Sequence, residues 1–170
     1  MFHNITSLLR EAIKVGSRWS LTRKLIKRAE SIDNWVIDVK GYSTSIEKET
    51  RKNNDFRRVL YTGKNSQLVL MKLQPMEEIG MEVHNDRDQF FRFEEGEGKV
   101  VIDGVEHKIK DGDAVIVPAG AKHNVVNTSK KLALKLYTIY SPPEHQDKVV
   151  RHTKADAEAS PEEYDGKPTE

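Results

Sequence analysis

The pattern of residues around position 82 could hold a metal ion. The 170-residue chain has six histidines and no cysteine, so an ion must be bound by nitrogen and oxygen atoms. Glu82 and His84 are separated by one residue. Because side chains alternate between the two faces of a strand, both can point at a common ion. Glu82 could instead be a surface charge of an edge strand, and Asp86 or Asp88 could reach in from the following loop.

A second pattern lies in residues 112–127. Five residues occur there with five, one, two and three residues between them, at Gly112, Pro118, Gly120, His123 and Asn127. A lone histidine is more often a hydrogen-bonded core residue than a metal ligand, but the complete pattern resembles the second motif of the cupin superfamily. The resemblance implies that His123 begins a strand, faces the interior of a β-barrel and binds a metal ion.

The first cupin motif has a counterpart earlier in the chain. The family motif usually has two histidines separated by one residue, then a glutamate after three or four residues and a glycine after six more. Here His84 and Gly96 match the motif. Glu82 replaces the first histidine, and Gln89 replaces the glutamate. The resemblance therefore implies a metal site formed by Glu82, His84, Gln89 and His123.

The two replacements leave the total charge of this ligand set unchanged. Three histidines and one glutamate carry a single negative charge, and so does the set in this chain. Two histidines with one carboxylate are also the ligands of non-heme iron sites, and the same groups accept other metals. We expect one divalent transition metal per chain: Mn, Fe, Zn, Ni or Co. Gln89 is neutral and is expected to bind least firmly, leaving room for water or substrate.

The elements that must position these residues are strands. Between residues 65 and 140 the apolar residues follow period two and turn residues recur at short intervals, which predicts an antiparallel all-β domain. Asp103-Gly104 suits the tight turn of a hairpin. The predicted strands are Gln67–Leu73, Gln89–Glu94, Lys99–Ile102, Val105–Ile109, Ala114–Val117 and Leu132–Tyr140. The resemblance implies a double-stranded β-helix, the cupin jelly roll, over residues 42–153.

Charge distinguishes two further segments. Residues 1–28 carry seven basic side chains and one acidic side chain, and apolar residues spaced by three and four predict an amphipathic helix within a basic N-terminal extension, residues 1–40. This extension is expected to be an accessory helix of a cytoplasmic protein, with an organelle transit peptide as the alternative. Residues 154–170 have many acidic and few large apolar side chains, which predicts a flexible, solvated tail with a short helical turn at its start.

Aromatic residues near the motifs are candidates for a substrate pocket. By alternation Phe91 and Phe93 share a face with Gln89, and Tyr137 and Tyr140 lie on the last predicted strand. The alternative is that these four residues are ordinary barrel core. The remaining histidines are expected to be surface or structural residues: His3, His107, His145 and His152. His145 follows the last predicted strand and could instead fold across a barrel mouth.

Three functions are consistent with these features. The first is a metal-dependent isomerase or lyase, in which the ion polarises a carbonyl of a small sugar, sugar acid or keto acid while a base moves a proton. Glu82 could be that base if it is not a ligand, and Tyr137 or Tyr140 could be if they point inward. The second is a non-heme iron dioxygenase. The third is a small-ligand-binding module without turnover.

The expected partner is a small molecule. The net charge of +1 gives no case for nucleic acid, and no apolar run is long enough for a membrane span. The resemblance implies a homodimer, formed by strand exchange or sheet packing.

Overall fold

The structure, a computed structural model, describes residues 40–170. The predicted amphipathic helix of the basic extension lies outside the described residues. Residues 41–170 form one compact unit. Its helices and strands are, in chain order, α1 (Ile46–Lys52), β1 (Arg57–Thr62), β2 (Gln67–Leu73), β3 (Asp88–Glu95), β4 (Glu97–Ile102), β5 (Val105–Lys110), β6 (Ala114–Val117), β7 (His123–Asn127), β8 (Leu134–Ser141), β9 (Val150–Arg151) and α2 (Lys154–Ala159).

The strands form two antiparallel sheets with a common core. The larger sheet has six strands in the order β6-β3-β8-β2-β1-β9, and the smaller has three in the order β5-β4-β7. Alternate residues of both sheets are fully buried in one apolar cluster, which includes Val69 and Leu136 from the larger sheet and Val100 and Val125 from the smaller. Two facing antiparallel sheets with inward-pointing alternate residues confirm the predicted all-β jelly roll.

Most of the predicted strands are present with small shifts at their ends. Two predicted strands have the same bounds as β2 and β6, and the other four differ from β3, β4, β5 and β8 by one or two residues at one or both ends. The turn between β4 and β5 also forms as predicted. Asp103 and Gly104 have φ angles of 48° and 84°, the pair of positive values that a two-residue type I′ hairpin turn requires.

The first strand was not predicted, and its pairing explains why. The register of β1 against β2 shifts between Val59 and Tyr61, so the strand carries a β-bulge. A bulge puts one extra residue into a strand and breaks the alternation of buried and exposed side chains. The period of two that indicates the other strands is therefore absent from Arg57–Thr62.

A segment with two isolated β-bridges to β7 lies beside the smaller sheet and contains part of the first motif. Residues 77–84 run beside β7 and exchange backbone hydrogen bonds with it, among them Ile79 N–H to Val125 O at 3.0 Å and Asn127 N–H to Glu77 O at 2.9 Å. Along this segment Met81 and Val83 are exposed, whereas Glu82 and His84 are partly buried. The predicted alternation of Glu82 and His84 onto the inner face is therefore what the structure shows.

The C-terminal segment begins with the expected helical turn. The Thr153 hydroxyl accepts a hydrogen bond from the Asp156 backbone N–H at 3.1 Å, and the Asp156 carboxylate accepts one from the Thr153 N–H at 2.9 Å. This reciprocal arrangement is a capping box that starts α2.

The remainder of the segment is mostly exposed, as its composition predicted, but several of its residues contact the barrel. The Glu162 side chain is only 4% exposed and forms ion pairs with Arg57 at 3.2 Å and Arg151 at 2.9 Å. Farther along, Thr169 and Thr62 exchange two hydrogen bonds of 2.8 Å. The prediction was based on the scarcity of apolar residues. Ion pairs and hydrogen bonds, which composition does not reveal, hold parts of this segment against β1 and β9.

Candidate metal centre

The centre of the site is a backbone bridge between the two motifs. Glu82 N–H donates to His123 O, and His123 N–H donates to Glu82 O, both at 2.9 Å. Residues paired directly across an antiparallel bridge project their side chains to the same face. The bridge thus brings the Glu82 carboxylate and the buried His123 imidazole together inside the barrel.

His84 is held beside this pair by residues 118–120, which form the corner before β7. The Gly120 N–H donates to His84 O at 2.8 Å, and the Ala119 N–H donates to the Asp88 carboxylate at 2.9 Å. Asp88 therefore binds the corner and does not reach into the site. Asp86 is also exposed and pairs with Arg87. The structure thus places Glu82, and neither loop aspartate, beside the two histidines.

Three side chains converge closely enough to surround one ion. Glu82 Oε2 lies 3.6 Å from His84 Nε2 and 3.9 Å from His123 Nε2. One ligand atom from each of these three residues lies within 4.8 Å of the others. Ligand atoms bound about 2.1 Å from one ion are separated by about 3.0–4.2 Å, so both Glu82 distances fit a shared divalent cation.

Hydrogen bonding at the site leaves one ligand atom without a partner at hydrogen-bond distance. His84 Nε2 is buried and has no hydrogen-bond partner among the described residues. A buried polar atom without a partner is costly, and a bound cation would satisfy it. The donor set of two imidazoles and one carboxylate also suits a divalent transition metal. The residues present therefore fit the metal that the motifs predict.

Gln89 reaches the same centre from the opposite sheet. Its Oε1 atom lies 2.9 Å from His123 Nε2, and its amide nitrogen donates to the Thr138 hydroxyl at 3.1 Å. His123 Nδ1 lies 3.1 Å from the carbonyl oxygen of Ala121. All four predicted ligands are thus brought together, and their binding of a metal stays a prediction.

Charge and burial shift the acid–base properties of the surrounding rings. Contact with the Glu82 carboxylate raises the pKa of the His84 imidazole, although burial acts in the opposite direction. Burial raises the pKa of Tyr140 far above its ordinary value, and the charge of Glu82 adds to this shift. Burial lowers the pKa of His145 well below its ordinary value, so this imidazole is neutral at pH 7. Tyr140 packs edge-on against both histidines, with ring centroids 5.8 Å from His84 and 5.1 Å from His145.

The four predicted pocket aromatics occupy different places. The Phe91 ring lies edge-on to that of His123, with 6.1 Å between the ring centroids. Phe93 stacks on Phe91 with a centroid distance of 6.4 Å, and both belong to the apolar core. Tyr137 is a correction to the prediction. Tyr137 and the buried Tyr140 lie on opposite faces of β8, and Tyr137 faces outward. Its ring centroid lies 6.1 Å from that of Phe90. Tyr137 is therefore neither a pocket wall nor a base at this site.

A cavity of about 480 Å³ opens beside the convergent side chains. His84 is both a member of the predicted ligand set and part of the cavity wall. Arg87 and Glu144 also line the cavity and were not predicted, because their sequence signal is limited to their position at the ends of the two segments that meet here. The lining residues come from the first motif, the end of β8 and the C-terminal segment: Val83, His84, Asn85, Asp86, Arg87, Pro142, Pro143, Glu144, Glu163 and Tyr164. None of the four predicted pocket aromatics is among them, and Phe91, Phe93 and Tyr140 are core residues, as the alternative held.

Comparison with known proteins agrees with the motifs and the fold. The family model described as "Cupin domain" matches residues 69–140. The uncharacterized protein YrkC of Bacillus subtilis is 43% identical over 127 residues, which are 71% of this chain and 68% of that protein. The chain belongs to the cupin family. This cupin contains both motifs, the first in altered form.

Solved structures support the same fold. The crystal structure of BH2720 from Bacillus halodurans superposes on this cupin with a TM-score of 0.69 and 42% sequence identity, covering 72% of this chain and 97% of that one. An uncharacterized conserved protein with a double-stranded beta-helix domain from Klebsiella pneumoniae superposes with a TM-score of 0.51 at 22% identity, covering 61% and 91%. The predicted double-stranded β-helix is confirmed. Within residues 40–170, no helix has the length and apolar character that a membrane crossing needs.

Proposed function

We propose that this cupin is a metal-dependent enzyme of the isomerase or lyase type that acts on a small, oxygen-rich molecule. One observation supports this most strongly: His84 belongs both to the predicted ligand set and to the wall of the cavity. A molecule bound in the cavity would therefore contact one of the predicted ligands of the ion. The cavity volume of about 480 Å³ suits a compound of the size of a sugar, sugar acid or keto acid.

The residues of the chain would hold the ion and orient the substrate. Glu82, His84 and His123 would be the main ligands, and Gln89 a weaker fourth. A bound divalent ion supplies Lewis-acid polarisation of a carbonyl oxygen. The neighbouring phenol of Tyr140 stays protonated at neutral pH because burial raises its pKa, so it is unsuited to be the general base.

The charges of the cavity favour a neutral substrate among these classes. Its lining carries three carboxylates, from Asp86, Glu144 and Glu163, and one guanidinium, from Arg87, which pairs with two of them. A carboxylate substrate would meet this excess of negative charge, whereas the hydroxyl groups of a neutral sugar would find hydrogen-bond acceptors. We therefore infer a neutral sugar rather than a sugar acid or keto acid.

The metal content of the protein tests the first part of the proposal. We expect protein purified without added metal to contain about one equivalent of a divalent ion, and the His84→Ala/His123→Ala double variant to contain almost none. His107 is exposed on β5, so His107→Ala is a matched control that should retain the metal. A double variant with the metal content of wild type would refute the site.

The reaction type is tested by proton exchange. Metal-loaded protein would be incubated in D2O with neutral aldoses and ketoses, sugar acids and keto acids, followed by NMR. We expect deuterium incorporation next to the carbonyl of a neutral sugar, which is abolished in the double variant. Exchange confined to acids would contradict the charge argument, and the absence of exchange with every compound would contradict the isomerase or lyase activity.

A second candidate follows from the composition of the ligand set. Two histidines and one carboxylate with open positions also suit ferrous iron in an oxygenase. A dioxygenase would contain iron and consume oxygen with its substrate. Zinc or nickel without oxygen uptake would exclude this candidate. A protein that holds a ligand without converting it would represent the remaining, non-catalytic alternative.

The other expectations from the sequence stay proposals. We propose a cytoplasmic homodimer with a small-molecule partner, and a division into the basic extension of residues 1–40, the cupin domain of residues 42–153 and the acidic segment of residues 154–170. Light scattering and fluorescent tagging of the full chain would test the dimer and the location.

A further inference from the structure

Glu144 faces the ring of His84 from the side opposite to the predicted metal site. Glu144 Oε2 lies 3.5 Å from His84 Nδ1, whereas the other ring nitrogen, Nε2, lies 3.6 Å from the Glu82 carboxylate. The two nitrogens of the imidazole thus face two different carboxylates. Glu82 is on the side of the convergent ligands, and Glu144 is on the side of the cavity wall.

The Glu144 carboxylate is held in place by neighbours on several elements. Arg87 Nη1 pairs with Glu144 Oε2 at 2.5 Å. The backbone at residue 144 is also anchored, because its N–H donates to Gln67 Oε1 at 3.3 Å and its carbonyl accepts from the Tyr164 N–H at 2.8 Å. Gln67 is fully buried in β2. An acceptor fixed in this way can orient a ring without losing much conformational entropy.

The second histidine of the site has a shorter contact at its Nδ1 atom, 3.1 Å compared with 3.5 Å for His84 and Glu144. His123 Nδ1 faces the carbonyl oxygen of Ala121, and its Nε2 is directed at the site. In both histidines, therefore, Nδ1 faces an oxygen acceptor and Nε2 faces the other ligands. The difference is in charge, because His123 has a neutral carbonyl as its acceptor and His84 has a carboxylate.

We propose that Glu144 is a positioning residue that accepts a hydrogen bond from the Nδ1–H group of His84 and thereby directs the lone pair of Nε2 at the metal. A carboxylate acceptor fixes the tautomer and the ring plane of a ligating histidine and makes the opposite nitrogen a stronger donor. The edge-on packing of Tyr140 against His84 limits rotation of the same ring. This inference rests on the proposed metal site.

Metal affinity is the first test. Zn²⁺ affinity would be measured by competition with a chromophoric chelator for wild type, Glu144→Gln and Glu163→Gln. Glu163 lines the same cavity, so its substitution removes an equal charge from the lining. We expect Glu144→Gln to weaken Zn²⁺ binding by about 10–100-fold and Glu163→Gln to change it by less than about twofold. Equal losses in both variants would attribute the effect to general charge and overturn the positioning role.

The histidine NMR spectrum supplies a readout that does not depend on activity. In ¹⁵N-labelled protein loaded with Zn²⁺, we expect a downfield Nδ1–H resonance of His84 that exchanges slowly with water. It should move upfield or exchange rapidly in Glu144→Gln, while the Nδ1–H resonance of His123 stays unchanged as an internal control. An unchanged His84 resonance together with unchanged affinity would refute the proposal.

The outcomes separate this inference from the function on which it rests. Wild-type protein that binds no Zn²⁺ would refute the metal site itself. Wild-type protein that binds Zn²⁺ but shows a freely exchanging His84 Nδ1–H would refute only the role of Glu144. This second measurement needs no substitution, so the proposal stays falsifiable even if Glu144→Gln fails to fold.

Discussion

His123 Nε2 lies 2.9 Å from the amide oxygen of Gln89, although the other ring nitrogen of the histidine faces the carbonyl oxygen of Ala121. If His123 donates its Nδ1 proton to Ala121, its Nε2 is an acceptor that faces a second acceptor. A cation bound by both atoms resolves this conflict. Two ligands about 2.1 Å from an ion and at right angles to each other are about 3.0 Å apart, which agrees with the observed separation.

Gln89→Glu should strengthen metal binding. The substitution would restore the carboxylate of the usual motif and add one negative charge to a ligand set that now has only one. We expect an increase in Zn²⁺ or Mn²⁺ affinity on the order of tenfold, measured by chelator competition. Gln146→Glu, at an exposed position outside the predicted ligand set, adds the same charge and should have little effect. A weaker affinity in Gln89→Glu would mean that this side chain is not a ligand.

Glu162→Gln should destabilise the protein. Its side chain is 4% exposed and pairs with two arginines, Arg57 and Arg151, which are 12% and 22% exposed. Removing the carboxylate leaves these partly buried cations without their counter-ion, which we expect to cost about 3 kcal/mol in the free energy of unfolding. Urea denaturation would measure this change. The neighbouring substitution Glu163→Gln should change stability by less than about 0.5 kcal/mol, and equal effects would contradict the assignment.

Asp55→Asn should reduce stability in a pH-dependent manner. Burial opposes ionisation of Asp55, but contacts with His152 at 2.6 Å and Arg58 at 2.7 Å outweigh it and lower the pKa of this carboxyl. A lowered pKa in the folded state contributes stability above the unfolded value of 3.8 and loses it as the pH falls through the folded value.

The loss in Asp55→Asn should therefore be about 1–2 kcal/mol at pH 7 and should shrink below about pH 4. Thermal unfolding of both proteins between pH 2 and pH 8 would measure it. Glu158→Gln, which removes an exposed carboxylate of α2, serves as the control and should show almost no difference at any pH. A difference that grows as the pH falls would contradict the sign of this argument.

Gly98→Ala should disrupt the smaller sheet. A Cβ atom at this position in β4 would lie 2.3 Å from the carbonyl oxygen of Val126 in β7, closer than any allowed contact. We expect a loss of about 3 kcal/mol or failure to fold, because the two strands must separate to make room. Gly63→Ala is a suitable control, since its nearest neighbour would be the Ser66 carbonyl oxygen at 3.4 Å. Equal stability of the two variants by thermal unfolding would contradict the close approach.

The sheets were predictable where a strand keeps the period of two between turn residues. Gln67–Leu73 and Ala114–Val117 meet this condition and have the predicted bounds. The bulged strand Arg57–Thr62 does not, and neither does the two-residue strand Val150–Arg151. The C-terminal segment was misjudged for a different reason. Glu162 has acidic neighbours in sequence, and only the fold brings the cations of Arg57 and Arg151 to it.

The sequence by itself determined the family, the class of fold and the four side chains that converge, because motif spacing and strand alternation are local properties of the chain. The tertiary structure decided how these side chains meet. The bridge between Glu82 and His123, the outward direction of Tyr137 and the contact of Glu144 with His84 each depend on pairing between distant segments. Local periodicity contains no information about such register, so only the folded chain shows which oxygen faces which nitrogen.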